Sequence, residues 1–303
     1  MAGETTEGGT AGAASGVRSL LFGDEDPRLR ATWRLLLAVP LVLSTQFVAR
    51  AVTGALGVPG MVPTGLAQAG WFGLLFVLWA RYVDRRAIRN YGLTLSTGWL
   101  RDAVVAFSAV VVGYVVWYGG AAALGVASLA VAADASLAVA LAGAFVALAV
   151  NVWVQDTVYF GLVLRNAAEG AGSRGLTARR AVLAGWVVAA AFFVVIHGEP
   201  AGRVGTLGVA GAVFGLLYVL TGDLSVPIGF HLGLNFVGGW LFLPADAGGP
   251  TAVSVSGAAP VVGSAARAGQ PQMVVALALV VGWLWWTRDD VGVATDIARW
   301  RGR

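Results

Sequence analysis

The stretch Asn151-Val-Trp-Val-Gln155-Asp156-Thr157-Val-Tyr159-Phe160-Gly161-Leu-Val-Leu-Arg165-Asn166 decides how this chain is read. It sets an amide beside a carboxylate inside an apolar run long enough to cross a bilayer. Polar groups without partners are costly in hydrocarbon, so Gln155 and Asp156 must face protein or enclosed water. Asn151, Gln155 and Tyr159 recur at i, i+4 and i+8 and form one polar stripe on a helix, with Asp156 about 100° round the axis. The two histidines of the chain, His197 and His231, fall in two later apolar segments. Three membrane helices therefore each carry a costly polar residue or pair, and the remaining helices are expected to hold those three together.

Composition agrees with this reading. Of 303 residues, 58% are hydrophobic and 12% charged, about half the charged share of a soluble domain. Cysteine is absent, which excludes disulfides and thiolate zinc sites. All 20 basic residues are arginines scattered at helix ends, without the basic stripe that nucleic acid binding requires.

Working outward, apolar segments lie near 33–55, 62–80, 102–124, 136–164, 181–198, 204–221, 225–243 and 272–287. The expected fold is all-α: a polytopic, multi-pass protein of the cell membrane with about eight transmembrane helices. With the N-terminus inside, 17 arginines fall on the inner side and only Arg50, Arg203 and Arg267 on the outer side. That asymmetry supports eight spans with both termini inside. Residues 1–30, rich in Gly, Ala, Thr and charge, are expected to be a disordered tail. The membrane domain then covers 31–288, and 289–303 form a cytoplasmic C-terminal tail. No cleavable signal is expected, because the first apolar run begins near Trp33 and is long enough to span. The Gly, Ala, Ser and Pro-rich stretch 244–271 is expected to be an outer loop without a fold of its own. The arginines of 81–101 are expected to fix topology and touch lipid headgroups, and Asp223 to be a cap or loop residue.

A carboxyl at the depth of Asp156 is a candidate general acid or base. His197 closes the run Phe193-Val-Val-Ile-His197 and is followed by the helix stop Gly198-Glu199-Pro200. His231 and Asn235 stand at i, i+4 and share a face, where they could bind metal or water or donate to an oxyanion. Counting helix rise from the inner arginines puts Asp156 about 13 Å deep and His197 about 25 Å deep. The two meet if the fifth helix starts outside the bilayer, with Trp186 at its interface. His197 then lies at about 16 Å, and the expected site sits in the inner half and opens inward.

These residues resemble the CAAX prenyl protease and bacteriocin-processing (CPBP, or ABI) family of intramembrane metalloproteases. That family carries Glu-Glu-x-x-x-Arg, Phe-x-x-x-His and His-x-x-x-Asn/Asp on separate membrane helices. The second motif stands here as Phe193-Val-Val-Ile-His197 and the third as His231-Leu-Gly-Leu-Asn235. Leu220-Thr-Gly-Asp223-Leu and Pro227-Ile-Gly-Phe-His231 resemble the family's approach to its third motif, and the likeness covers about residues 80–243. At the first motif the glutamates fall on Gln155 and Asp156 and the arginine on Phe160, which removes both a proton acceptor and a counter-charge.

The resemblance implies an intramembrane metalloendopeptidase that cleaves a membrane-associated peptide or protein within the bilayer. The implied catalytic residues are Gln155, Asp156, His197, His231 and Asn235. Asp156 would be the base, His197 would hold the water or a metal, and His231 with Asn235 would stabilise the tetrahedral intermediate. Zinc is the candidate metal, with His197, His231 and Asp156 as its ligands. The other reading is a catalytically silent relative that binds a peptide or a lipid-linked partner in the same cavity.

Overall fold

The computed structural model describes residues 18–23, 28–132, 135–247, 250–263, 269–288 and 291–302. The chain is a polytopic all-α membrane protein. Helices α1 (Ala31–Ala55), α2 (Met61–Val83), α3 (Thr97–Ala123), α4 (Ala135–Gly172), α5 (Ala178–His197) and α6 (Ala201–Thr221) are each long and apolar enough to span a bilayer. Two shorter helices complete the eight expected segments. They are α7, Ser225–Phe236 extended by a wide turn over Val237–Leu241, and α8, Gln270–Thr287. Among the described residues, six helices rather than eight reach spanning length and hydropathy. The difference comes from the brevity of α7 and the polar start of α8, Gln270-Pro-Gln272.

The exterior carries the apolar side chains and the interior several polar ones, the reverse of a soluble domain. Phe47, Val139, Val195 and Trp286 are exposed, whereas Asp84, Arg86, Asp156 and Glu169 are buried. That distribution suits a surface facing hydrocarbon. α7 is the central helix, packed against α3, α4 and α6. Its small residues permit this: a Cβ at Gly233 would fall 2.8 Å from Val110 of α3, so α7 can approach closely enough to carry His231 into the core.

α4 changes pitch immediately after Asp156, running as a π-helix over Thr157–Leu164. Such wide turns are frequent at functional sites. Every residue of that turn is buried, and Phe160 packs its ring against Tyr218 and beside Gly215.

Two stretches expected to be unstructured are folded where described. Strands β1 (Ala127–Val131), β2 (Phe242–Pro244) and β3 (Val253–Gly257) form a sheet in which β3 lies between an antiparallel β1 and a parallel β2. The Val253-Ser-Val255-Ser alternation has the two-residue period of a strand and buries Val255. Within the expected outer loop, composition had concealed that pattern, while 264–268 lie outside the described residues.

In the expected N-terminal tail, Arg28 is buried against Glu169; 1–17 and 24–27 lie outside the described residues. Near the C-terminus a 3-10 turn, Thr295–Ala298, buries Ile297 and packs on α4 and α5.

Candidate active site

The polar residues of α4 and α7 meet directly. His231 Nδ1 lies 2.8 Å from Asp156 Oδ1, and both residues are buried. With Asp156 as a carboxylate, which can only accept, Nδ1 donates to it and Nε2 of the neutral ring is left as an acceptor. Phe214 stacks on the imidazole at 4.2 Å between ring centres, and the tilted ring of Phe193 lies 6.1 Å from it. Together they fix the ring's orientation.

His197, the last residue of α5, hydrogen-bonds through Nδ1 to its own helix at the Phe193 carbonyl, 2.6 Å away. A carbonyl accepts, which again leaves Nε2 as an acceptor. Phe193 bridges the two histidines, its ring centre 4.3 Å from that of His197. The Phe-x-x-x-His spacing therefore does two things: it supplies the backbone acceptor that orients His197, and it supplies the ring that separates the two imidazoles.

These groups surround a cavity of about 650 Å³ whose lining includes Gln155, His197, His231 and Asn235. Asp156 is fully buried behind His231 and does not line it. Gln155 donates to Asn151 Oδ1 at 2.8 Å, which leaves its own Oε1 buried without a partner among the described residues. Asn235, one turn beyond His231, also faces the cavity.

Glu199 and Arg203 mark the mouth, joined by an ion pair of 2.9 Å across one helical turn. This mouth lies at the C-terminal end of α5, about 30 Å along that helix from its arginine-rich start. It stands at the end of α5 remote from that helix's arginines. The depth count placed Trp186 at an interface; instead Trp186 packs α5 on α6, donating to the Ala212 carbonyl at 2.8 Å.

The expected zinc ligands do not form a metal centre. Among the described residues no three His, Asp or Glu side chains gather as a ligand set. Asp156 spends one oxygen on His231, and His231 and His197 each spend Nδ1 on a protein partner. His197 and His231 keep Nε2 free, but Asp156 is buried and does not line the cavity with them, short of the three protein ligands of a catalytic zinc.

A second polar cluster escaped sequence reading. Glu169 of α4 pairs with Arg28 and Arg34 at 3.1 Å each and with Arg86. Asp84 accepts from Arg34 at 3.2 Å and from the Tyr91 hydroxyl at 2.8 Å, while Asn166 contacts Arg34. Burial works against the charge on Arg86, but Glu169 and Asp84 outweigh it and hold the guanidinium above its ordinary pKa. Burial likewise pushes the Tyr91 phenol up, so it remains a donor. Trp300 covers the cluster, stacking on Arg28 at 4.2 Å and donating to the Asp84 carbonyl at 3.2 Å.

Arg86, expected among the headgroup contacts, is thus an internal counter-charge like Arg34 of α1, while Arg81, Arg85, Arg89 and Arg101 remain exposed. A signal existed: Asp84 is the only acid between Val83 and Arg101, and Glu169 the only one between Thr157 and Gly198. Asp223 does act as a cap, accepting from the Ser225 amide at 2.7 Å at the start of α7.

Fold and site define a polytopic membrane protein with an Asp–His pair beside an intramembrane cavity. Residues 136–237, from the start of α4 to the end of α7, match the family model for type II CAAX prenyl endopeptidase Rce1-like proteins. The matched stretch spans α4 to α7, which supply most of the cavity's lining residues. No curated protein and no solved structure matches the chain.

Proposed function

We propose that this chain is an intramembrane endopeptidase of the cell membrane, hydrolysing a membrane-associated peptide or protein in the cavity around His231. The observation that carries the reading is His231 itself: Asp156 holds Nδ1 from behind while the ring lines the cavity. His231 Nε2 takes a proton from water as the water oxygen bonds to the scissile carbonyl carbon and the carbonyl electron pair moves onto oxygen. Collapse of the tetrahedral intermediate breaks the C–N bond, and Nε2 returns the proton to the leaving amine. Asp156 stabilises the imidazolium formed in between. Asn235 donates to the oxyanion. His197 Nε2 is an acceptor that positions the water, and Gln155 forms part of the cavity wall beside it. Compared with the sequence expectation, His231 replaces Asp156 as the base and Asp156 becomes its positioning residue.

A second reading, a silent relative that binds a peptide or lipid-linked partner here, draws on Gln155. It stands where the family carries its first glutamate, and its amide is committed to Asn151. Wild type and Gln155→Glu, purified in detergent and offered the same library of membrane-anchored peptides, separate the two. Cleavage by wild type supports the peptidase; cleavage by the variant alone supports the binding protein.

A further inference from the structure

A cleft of about 500 Å³ lies on the other side of α4, between α1, α2 and α4. Arg50, exposed near the end of α1, has no ion-pair partner among the described residues, and no carboxylate lines the cleft. Gly60 and Met61 bring in the N-terminus of α2, where the Met61 and Val62 amides precede the first intrahelical bond. Thr64 adds a hydroxyl one turn along. Deeper in the cleft, Gln68 is 4% exposed and its Nε2 is buried without a hydrogen-bond partner among the described residues.

A guanidinium, a helix N-terminus, a hydroxyl and an orphaned amide donor share one chemistry: all favour an oxyanion. A buried donor left unmatched is costly, so the pattern points to a ligand that accepts from it. The position of the cleft, among membrane helices with Arg50 near a helix end, fits a headgroup whose chains run down the apolar faces of α1 and α2. We propose that this cleft binds a phosphate group, borne by an anionic membrane lipid, between Arg50, the start of α2 and Gln68. Asn151 lines this cleft and accepts from Gln155, which lines the cavity of His231. A single hydrogen bond separates the two.

The full-length protein in a neutral detergent is titrated with phosphatidylglycerol and, separately, with inorganic phosphate. Retained lipid is read by native mass spectrometry and stabilisation by melting temperature. Wild type and Arg50→Lys are expected to retain the lipid; Arg50→Ala and Gln68→Leu lose about tenfold in affinity, as loss of one charge-assisted contact implies. Arg81→Ala, at the arginine-rich end, stays like wild type. Stabilisation by inorganic phosphate that needs Arg50, without lipid retention, assigns the same anion site to a soluble phosphate. Equal binding by wild type, Arg50→Ala and Gln68→Leu, or binding of neither probe, overturns the proposal. Arg50 is exposed and unpaired, so its substitution leaves the apo melting temperature unchanged and separates lost binding from lost folding.

Discussion

His231 and Asp156 stand 75 positions apart in the chain and 2.8 Å apart in space. Neither can be exchanged alone without leaving a buried polar group unmatched. A buried polar group left unmatched typically costs about 1–3 kcal/mol, and more when it is charged. Both His231→Ala and Asp156→Ala should therefore lower the melting temperature in detergent markedly. The double variant should lose less than the sum of the two, and a strictly additive double-mutant cycle would show the pair to be uncoupled.

Gln155 should act on substrate binding more than on turnover. Gln155→Leu replaces a polar residue of the cavity wall and strips Asn151 of its donor. KM for a cleaved membrane peptide should rise about tenfold, the cost of one hydrogen bond, with kcat little changed. A large fall in kcat at unchanged KM would move Gln155 into the chemical step.

The buried arginine cluster depends on Glu169. Glu169→Ala removes the carboxylate that Arg28, Arg34 and Arg86 share. Destabilisation of about 3–5 kcal/mol is expected, with Glu169→Gln milder because its amide oxygen still accepts. Thermal unfolding of the three proteins side by side tests this ranking.

Asp223 gives the fold a pH dependence of defined sign. Burial raises its carboxyl above the usual range, despite the bonds from Ser225 and Thr94 that favour the charged form. Its contribution to stability is full below the unfolded carboxyl pKa, about 4, and is lost as pH rises through the higher folded value. Asp223→Asn keeps an acceptor for the Ser225 amide and should flatten this part of the melting-temperature profile. A wild-type profile that climbs over the same interval would contradict the assignment.

Proteolysis should withstand chelation. Among the described residues no three His, Asp or Glu side chains gather as a ligand set, and Asp156 does not line the cavity, so the proposed chemistry runs through His231 and water. Cleavage in EDTA-treated protein should match the untreated rate; loss on chelation, restored by zinc, would require a different arrangement of these side chains.

The helices were legible because their apolar runs are long and their ends carry arginine or glycine. Gln155, His197, His231 and Asn235 were legible as one site because each is a costly polar group in an apolar segment. Their division of labour was not. Helical spacing shows that Asp156 points about 100° away from Gln155, but not that this direction leads to His231 and away from the cavity. The Glu169 cluster was missed because its partners come from the N-terminal stretch, the 84–91 connection and α4. Arginines near helix ends read as topology markers until a lone acid is found among them. The strand at Val253 was hidden by the glycine and alanine around it. Gly92 is explained only by the fold: its φ is +92°, and a Cβ there would fall 2.8 Å from the Leu224 amide nitrogen, whose hydrogen bond to the Gly92 carbonyl docks the start of α7.

The most direct measurement reconstitutes wild type, His231→Gln and Asp156→Asn in vesicles with a membrane-anchored peptide that wild type cleaves, and compares initial rates. Loss of the base should abolish cleavage in His231→Gln. Asp156→Asn, with the imidazole no longer held in its tautomer, should lose about a hundredfold or more in kcat. Cleavage by His231→Gln at the wild-type rate would contradict the account, because the base would then be another group, such as His197.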